Sequence, residues 1–274
     1  MSEQRDKNLW IFNAGNSFAG NPKWMFEYII RHHKEIKPVW MCYNADTMNY
    51  VHKLGYEAEL YHSSKGKSVM AKAGVYVVEM CKEVFQPELS GITVLNLWHG
   101  VGCKSIERKV TDGFLQERIA KKYIQNNDIL RNNQLFLVTS EIMEKHFKEQ
   151  CGIDDDKVIR AGYPRCVVND NIQSYDHDIR KKKGLSANTK LAIYCPTYRD
   201  NNGANFMKSA LPDMKRLAEV LHENNILLIL KMHPLVEKDT QYLAMKEVYR
   251  EHPNFYFWEN EDDVYEIFSD IDIA

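Results

Sequence analysis

Several features that would place this protein in a familiar class are missing from its sequence. No apolar run in the 274 residues approaches the roughly 20 that a membrane-spanning helix needs, and the stretch after the charged N-terminus is too short for a signal-peptide core. The six cysteines are dispersed and form no C-x-x-C pair, which argues against a disulfide framework and a zinc knuckle. We therefore expect a cytoplasmic protein, soluble or at most peripheral on the inner face of the cell membrane.

Nucleotide-binding fingerprints and a strong net charge are absent as well. Neither a P-loop nor a G-x-G-x-x-G pattern occurs, which argues against an ordinary kinase or nicotinamide dehydrogenase. The formal charge of −2 provides no overall attraction to nucleic acid, so we expect no such partner and any anion binding must be local. No closed set of four ligands is visible around His99 and Cys103 or around Cys195 and His233, and we predict neither a metal site nor a cofactor.

Short apolar runs alternate with helical segments along the chain, which predicts an α/β fold with parallel sheets. The length favours about two domains. The polar, lysine-rich stretch 168–188 lacks apolar periodicity, so we place the junction there, between domains 1–170 and 185–274. Residues 271–274 read as the start of another strand, so the second domain is expected to be truncated. The predicted strands cover residues 9–12, 39–43, 75–78, 93–98, 135–140, 158–159, 191–195, 226–230 and 254–258.

One helix start is well marked. Asn21 is a good N-cap residue, and Pro22 after it suits the first helical position. A helix is therefore predicted to begin at this pair.

Polar residues follow three of the predicted strands. His99 comes directly after the strand that ends in Trp98, Arg199 follows the strand that ends in Cys195, and Lys231 and His233 follow strand 226–230. In an open parallel sheet the carboxyl ends of the strands line the ligand crevice. Two histidines and an arginine at such ends indicate a site for an anionic substrate.

Five segments of the chain form an ordered set of motifs. They are Phe18-Ala19-Gly20-Asn21-Pro22-Lys23, Leu97-Trp98-His99-Gly100, Gly162-Tyr163-Pro164-Arg165, Tyr194-Cys195-Pro196-Thr197-Tyr198-Arg199-Asp200 and Lys231-Met232-His233-Pro234-Leu235. In this order and spacing they resemble the CDP-glycerol glycerophosphotransferase family, the bacterial teichoic-acid primases and polymerases and their capsule-synthesis relatives. The resemblance runs nearly end to end and implies a GT-B-like fold, with two Rossmann-like parallel-sheet domains facing across a cleft. It also implies that the N-terminal domain lies on the acceptor side and that the C-terminal domain binds the nucleotide.

Two departures from the family pattern affect the expected site. The family continues Trp-His-Gly with Thr-Pro-Leu-Lys, whereas this chain has Val101-Gly102-Cys103-Lys104, a change expected to alter the acceptor pocket. The family also carries a Thr-Asp-Tyr-Ser-Ser motif after a strand like the one that begins at Ile271, and the sequence ends before it. Inactivity of this chain on its own therefore stays an open alternative.

The resemblance implies a phosphoryl transfer from CDP-glycerol or CDP-ribitol to a lipid-linked or polymeric polyol-phosphate or glycan acceptor. An acceptor hydroxyl attacks the β-phosphorus and CMP leaves. His99, with a reference pKa of about 6.5, is the candidate catalytic base. His233 is the second catalytic candidate, donating to the pyrophosphate and stabilising the departing CMP. The expected substrate-binding residues are Arg199, Lys231, Arg165, Lys104 and Thr197.

Other interpretations stay open at this stage. His99 and His233 could each only hydrogen-bond a turn, and Arg165 could join the domains by a salt bridge. The basic segment from Lys104 to Lys122 is either a solvated face or a peripheral membrane contact. Alternative functions are a GT-B glycosyltransferase, a nucleotide-sugar epimerase, or a noncatalytic fragment that binds a polymer or the membrane.

Overall fold

The computed structural model describes residues 5–80, 86–102, 105–111, 114–125, 134–167, 178–196, 209–233, 236–237, 239–259 and 263–274. The chain divides into two compact units, Met1–Ile172 and Gln173–Ala274. Each unit is built on its own parallel sheet, so both follow the α/β class predicted from sequence.

The first unit contains a seven-stranded sheet in the order β3-β2-β1-β4-β5-β6-β7, and its strand pairs are parallel. Most of these strands are apolar runs, as expected of parallel strands that are covered on both faces. They are β1 (Asp6–Asn13), β2 (Lys37–Cys42), β3 (Ala58–Leu60), β4 (Ala73–Val78), β5 (Thr93–Asn96), β6 (Gln134–Val138) and β7 (Val158–Arg160).

Helices connect these strands. Several begin at a side chain that accepts a backbone N–H of the first turn: Asn44 caps α2, Ser63 caps α3 and Ser140 caps α5. The helices of this unit are α1 (Gly20–His32), α2 (Ala45–Lys53), α3 (Ser64–Lys72), α4 (Phe114–Gln125), α5 (Glu141–Cys151) and α6 (Pro164–Val167), with 3₁₀ turns at Pro87–Leu89, Glu107–Lys109 and Asp155–Lys157.

Two hydrophobic clusters cover the two faces of the first sheet. Ile11 belongs to one cluster and its neighbour Phe12 to the other, because successive side chains of a strand point to opposite faces. The Phe12 cluster is rich in aromatic rings, and the rings of Phe18 and Trp40 meet edge to face at 4.6 Å. Trp98 also belongs to it, so the residue before His99 is anchored in the core.

The second unit contains a three-stranded sheet in the order β10-β9-β8. Ile273 adds a parallel bridge to Ala192 of β8, where the sequence predicted the start of one more strand. The elements are α7 (Ile179–Lys182), β8 (Lys190–Tyr194), α8 (Met214–Glu223), β9 (Ile226–Leu230), α9 (Thr240–Tyr249), β10 (Phe255–Phe257) and a 3₁₀ segment at Val264–Asp270.

The structure differs from the sequence-based expectation at several points, and one of them is that β5 ends at Asn96, two residues before the predicted end. Helix α1 begins at Gly20 with Ala19 as its N-cap, so the prediction of Asn21 as the cap is wrong. The edge strand β3 was not predicted, because three residues show too little alternation. Part of the predicted junction packs into the second unit, where Ile179 is buried in the same cluster as Leu191.

Within the described parts of the chain, no helix combines the length and the apolar character needed to cross a bilayer.

Candidate active site

The turn that follows β5 presents His99 at the carboxyl edge of the first sheet. We call residues 98–100 the histidine turn. Asn96, the last residue of β5, accepts the Trp98 N–H on its side chain at 3.0 Å. Trp98 has a φ of 53° although its large ring is buried, and Gly100 has a φ of 152°. Such backbone conformations are costly for a bulky residue and persist only when the surroundings impose them.

Side chains from elsewhere in the first unit bind all three carbonyl groups of the histidine turn. Asn21 Nδ2 donates to the first carbonyl at 2.7 Å, and Arg165 Nη2 donates to the second, that of His99, at 2.8 Å. The hydroxyl of Tyr163 donates to the third carbonyl at 2.7 Å. These donors belong to two of the segments that carry the family resemblance, which therefore meet at His99.

Further contacts hold the donors themselves in place. The backbone N–H of Asn21 donates to Glu79 Oε1 at 3.0 Å, and Asn21 Oδ1 accepts the backbone N–H of Arg165 at 3.4 Å. The guanidinium of Arg165 lies over the Tyr163 ring, 5.7 Å from its centroid. Tyr163 is buried, which raises the pKa of its hydroxyl, and this hydroxyl also hydrogen-bonds to Thr139, just past β6.

The surroundings of His99 favour its neutral form. His99 is exposed, and its ring packs against Trp98 on one side, with 4.6 Å between the ring centroids. Its pKa lies below the ordinary value because the surrounding protein desolvates the imidazolium and the Arg165 guanidinium repels it, while Glu107 acts in the opposite direction. A neutral imidazole is the form that accepts a proton. The site is therefore suited to a general base.

The second unit also presents polar residues at the carboxyl edge of its sheet. β8 ends at Tyr194 and the neighbouring β9 at Leu230, and the N–H of Lys231 donates to the carbonyl of Tyr194 at 3.1 Å. Burial raises the pKa of the Cys195 thiol, and the ammonium of Lys231 partly offsets that rise, so the two side chains are near each other.

His233 lies two residues further along this edge, and its side chain is exposed. The carbonyl of His233 accepts the N–H groups of Val236 at 2.8 Å and of Glu237 at 3.3 Å. Met232 between the two basic residues is fully buried. Successive side chains of an extended segment point to opposite sides, so Lys231 and His233 point away from the core in which Met232 is buried.

The predicted site residues are thus distributed over both units. His99 and Arg165 are in contact in the first unit, and Lys231 and His233 follow β9 in the second. Lys104, Thr197 and Arg199 lie outside the described residues. Among the residues that are described, no group of three or more histidine, cysteine, aspartate or glutamate side chains is arranged to bind a metal ion.

The roles of Asn21, Tyr163 and Glu79 around the histidine turn were not predicted from the sequence. Asn21 and Tyr163 fall inside segments that resemble the family, and that was a usable signal. Nothing in the sequence marks Glu79, whose partner Asn21 is 58 residues away.

The basic segment from Lys104 to Lys122 is less uniformly exposed than its composition indicated. Lys122 is buried, and its ammonium donates to Glu107 at 2.7 Å, so it does not belong to an exposed basic face. The basic side chains that are exposed there are Arg108, Lys109, Arg118 and Lys121.

Two parallel-sheet units, each with a histidine just past the carboxyl end of a strand, define an α/β protein. The chain belongs to the CDP-glycerol:poly(glycerophosphate) glycerophosphotransferase family, whose family model matches residues 1–273. The family resemblance predicted from the five segments is therefore confirmed.

Two relatives that are named for the polymers they make support the same family. Over 242 residues the chain is 25% identical to the teichoic acid poly(glycerol phosphate) polymerase of Bacillus subtilis, a match that covers 82% of this chain and 31% of that protein. Over 172 residues it is 28% identical to the teichoic acid ribitol-phosphate polymerase TarL of Staphylococcus aureus, covering 58% of this chain and 29% of that one. The chain thus spans about a third of these relatives.

A solved structure confirms the predicted fold class. A variant of the wall teichoic acid polymerase TagF, soaked with CDPG, matches with a TM-score of 0.70 and 20% identity. The match covers 98% of this chain and 64% of the TagF chain. The α/β fold class predicted from sequence is therefore found in this known structure too.

Proposed function

We propose that this chain transfers glycerol-phosphate or ribitol-phosphate from a CDP-alditol to a hydroxyl of a teichoic-acid-like or capsular polymer, releasing CMP. The proposal rests on the position and the surroundings of His99. Its imidazole is presented at a strand end by a strained turn, all three carbonyls of which are bound, and its surroundings favour the neutral form. That combination suits a base that takes a proton from an alcohol.

The reaction breaks one phosphorus–oxygen bond and forms another. The acceptor hydroxyl attacks the β-phosphorus and passes its proton to His99, while the bond from that phosphorus to the CMP oxygen breaks. The negative charge that develops on CMP is stabilised by His233 and Lys231, both exposed or partly exposed after β9. Arg199, Thr197 and Lys104 are proposed as further ligands of the substrates, on the strength of the family resemblance alone.

The comparisons support this donor class. The relatives are named as polymerases of glycerol phosphate and of ribitol phosphate, and the TagF variant was soaked with CDPG. The acceptors proposed here are lipid-linked or polymeric polyol-phosphate or glycan chains, because the relatives are polymerases. Such a role implies participation in making cell-wall or capsule polymers.

We further propose a peripheral contact with the cytoplasmic face of the membrane, through the basic face around α4. Arg118 and Lys121 are exposed on α4, and Ile124 on the same helix is 77% exposed. Anionic headgroups attract such residues with about 1 kcal/mol for each charge near the surface. A contact of this kind would bring a lipid-linked acceptor close to the protein.

This membrane contact can be tested by co-sedimentation with vesicles of phosphatidylglycerol and of phosphatidylcholine. We expect binding to the anionic vesicles only, and a clear loss of it in the double variant Arg118→Glu and Lys121→Glu. The charge reversal of Lys215 and Arg216 on α8 serves as the matched control. Equal binding by the two double variants would argue against a contact through α4.

The transfer reaction is tested by CMP release from CDP-glycerol and, separately, from CDP-ribitol, with a lipid-linked or oligomeric acceptor present or absent. Acceptor-dependent CMP from one donor supports the proposal and identifies the alditol. Turnover of a UDP-sugar instead would favour a glycosyltransferase or an epimerase. Binding of the acceptor polymer without any turnover would favour the noncatalytic alternative.

A further inference from the structure

The carbonyl groups of the histidine turn have unusual partners. Carbonyls in an exposed turn commonly face water or a backbone N–H a few residues away. Here three consecutive carbonyls accept hydrogen bonds from side chains that are 77, 66 and 63 residues distant in sequence. The turn is therefore oriented by the tertiary structure rather than by its own sequence.

These contacts determine the direction of the imidazole. A peptide group is planar, so a bound carbonyl oxygen fixes the orientation of its whole peptide plane. The first two bound carbonyls belong to the two planes that flank the Cα atom of His99, which fixes the direction of its Cα–Cβ bond. The third, bound by Tyr163, fixes the plane after Gly100, so that rotation about this glycine, with its φ of 152°, does not release the His99 plane. Packing of the imidazole against Trp98, with 4.6 Å between centroids, then restricts the remaining side-chain rotation.

We propose that Asn21, Tyr163 and Arg165 are positioning residues that fix the histidine turn and so aim His99 at the acceptor hydroxyl. The effect of this positioning on catalysis rests on the proposed function. The positioning role gives Arg165 a different task from the substrate binding predicted from sequence. A misdirected base loses rate without losing substrate affinity, and a lost phosphate ligand loses affinity.

Tyr163→Phe is the sharpest variant, because it removes one hydroxyl and keeps the ring that packs under Arg165. Arg165→Lys keeps the charge but loses the planar fork. We expect kcat to fall about tenfold in each variant, with KM for the CDP-alditol unchanged within about twofold. A rise in KM at constant kcat, or no change in either constant, would overturn the proposal.

Tyr242→Phe in the second unit is the matched control. Tyr242 is buried, and among the described residues its hydroxyl makes no hydrogen bond. Loss of this hydroxyl should leave kcat unchanged. A fall equal to that of Tyr163→Phe would show that the loss of any buried hydroxyl reduces the rate, and would contradict a specific role for the histidine turn.

A second readout does not require turnover. The imidazole Cε1–H signal of His99, assigned by its disappearance in His99→Gln, should carry a ring-current shift from Trp98. In Tyr163→Phe we expect at least half of this shift to be lost, because the turn is released. If the parent protein does not act on any CDP-alditol, the proposed function fails, but this measurement still decides whether the three residues position His99. An unchanged ring-current shift in Tyr163→Phe would refute the positioning role.

Discussion

His99 and His233 both follow a buried strand of a parallel sheet, yet different parts of the molecule bind their carbonyls. The carbonyl of His99 is bound by Arg165, 66 residues away. The carbonyl of His233 accepts the backbone N–H groups of Val236 and Glu237. Distant parts of its unit therefore bind the carbonyl of the first histidine, whereas the N–H groups that bind the carbonyl of the second come from residues three and four positions further along the chain.

The largest expected effect comes from removing the base. In His99→Ala, acceptor-dependent CMP release should fall about a thousandfold in kcat, within the range typical of general-base catalysis. The exposed His62 of the same unit gives the control His62→Ala, for which activity should stay near that of the parent. A His99→Ala variant with more than about a tenth of the parent activity would remove His99 from the mechanism.

A smaller loss is expected at the second histidine. His233→Ala should lower kcat about a hundredfold, because one hydrogen-bond donor to the departing CMP is lost. The exposed His222 on α8 provides the control His222→Ala. If His233→Ala instead turned over normally while His99→Ala did not, only the first unit would contribute a histidine to the chemistry.

The pH dependence of the rate tests whether His99 acts as the base. A base acts only when deprotonated, so the rate should fall about tenfold for each pH unit below the pKa of His99. Desolvation and Arg165 lower that pKa, and Glu107, paired with Lys122, opposes them. The acid limb of kcat/KM, measured between about pH 5 and 8, should therefore lie below the usual histidine value of about 6.5.

The same titration in Arg165→Met tests the cause of this shift. Loss of the guanidinium removes a repulsion against the imidazolium, so the acid limb should move to higher pH. Arg160→Met, at an exposed arginine that pairs with Glu144, is the control and should leave the limb in place. An acid limb that does not move in Arg165→Met would mean that repulsion by Arg165 does not set it, which leaves desolvation of His99 or the titration of another group as the cause.

Most of the fold could be predicted because buried parallel strands read as short apolar runs. β9, with the sequence Ile-Leu-Leu-Ile-Leu, is the clearest case, and its predicted bounds agree with the structure. β3 escaped prediction because an edge strand of three residues has almost no pattern. The charged Lys23 and Glu27 also escaped, since both are buried on α1 where sequence alone places them in solvent.

The site was predicted only in part, for a related reason. The strand ends indicated His99, His233 and Lys231 because the position of a strand end is visible in sequence. The bonds to the histidine turn are not visible, because their acceptors are backbone carbonyls that every residue carries. Asn21 was interpreted as a helix cap from its local sequence, whereas its side chain binds a carbonyl 77 residues away. Local rules cannot anticipate a partner at that distance.

The smallest expected effect is a difference in unfolding free energy between Gly20→Ala in the first unit and Gly184→Ala in the second. Gly20 and Gly184 have φ angles of 69° and 64°, so alanine at either position is strained by about 1–2 kcal/mol. A Cβ at Gly20 would also collide with the carboxylate of Glu79, which accepts the Asn21 N–H, whereas no described atom lies within 4 Å of a Cβ at Gly184. Gly20→Ala should therefore cost about 1 kcal/mol more in unfolding free energy, the worth of one hydrogen bond, as measured by hydrogen exchange in urea on peptides from each unit. Equal costs would mean that Glu79 moves aside freely and that the support of Asn21 does not depend on it.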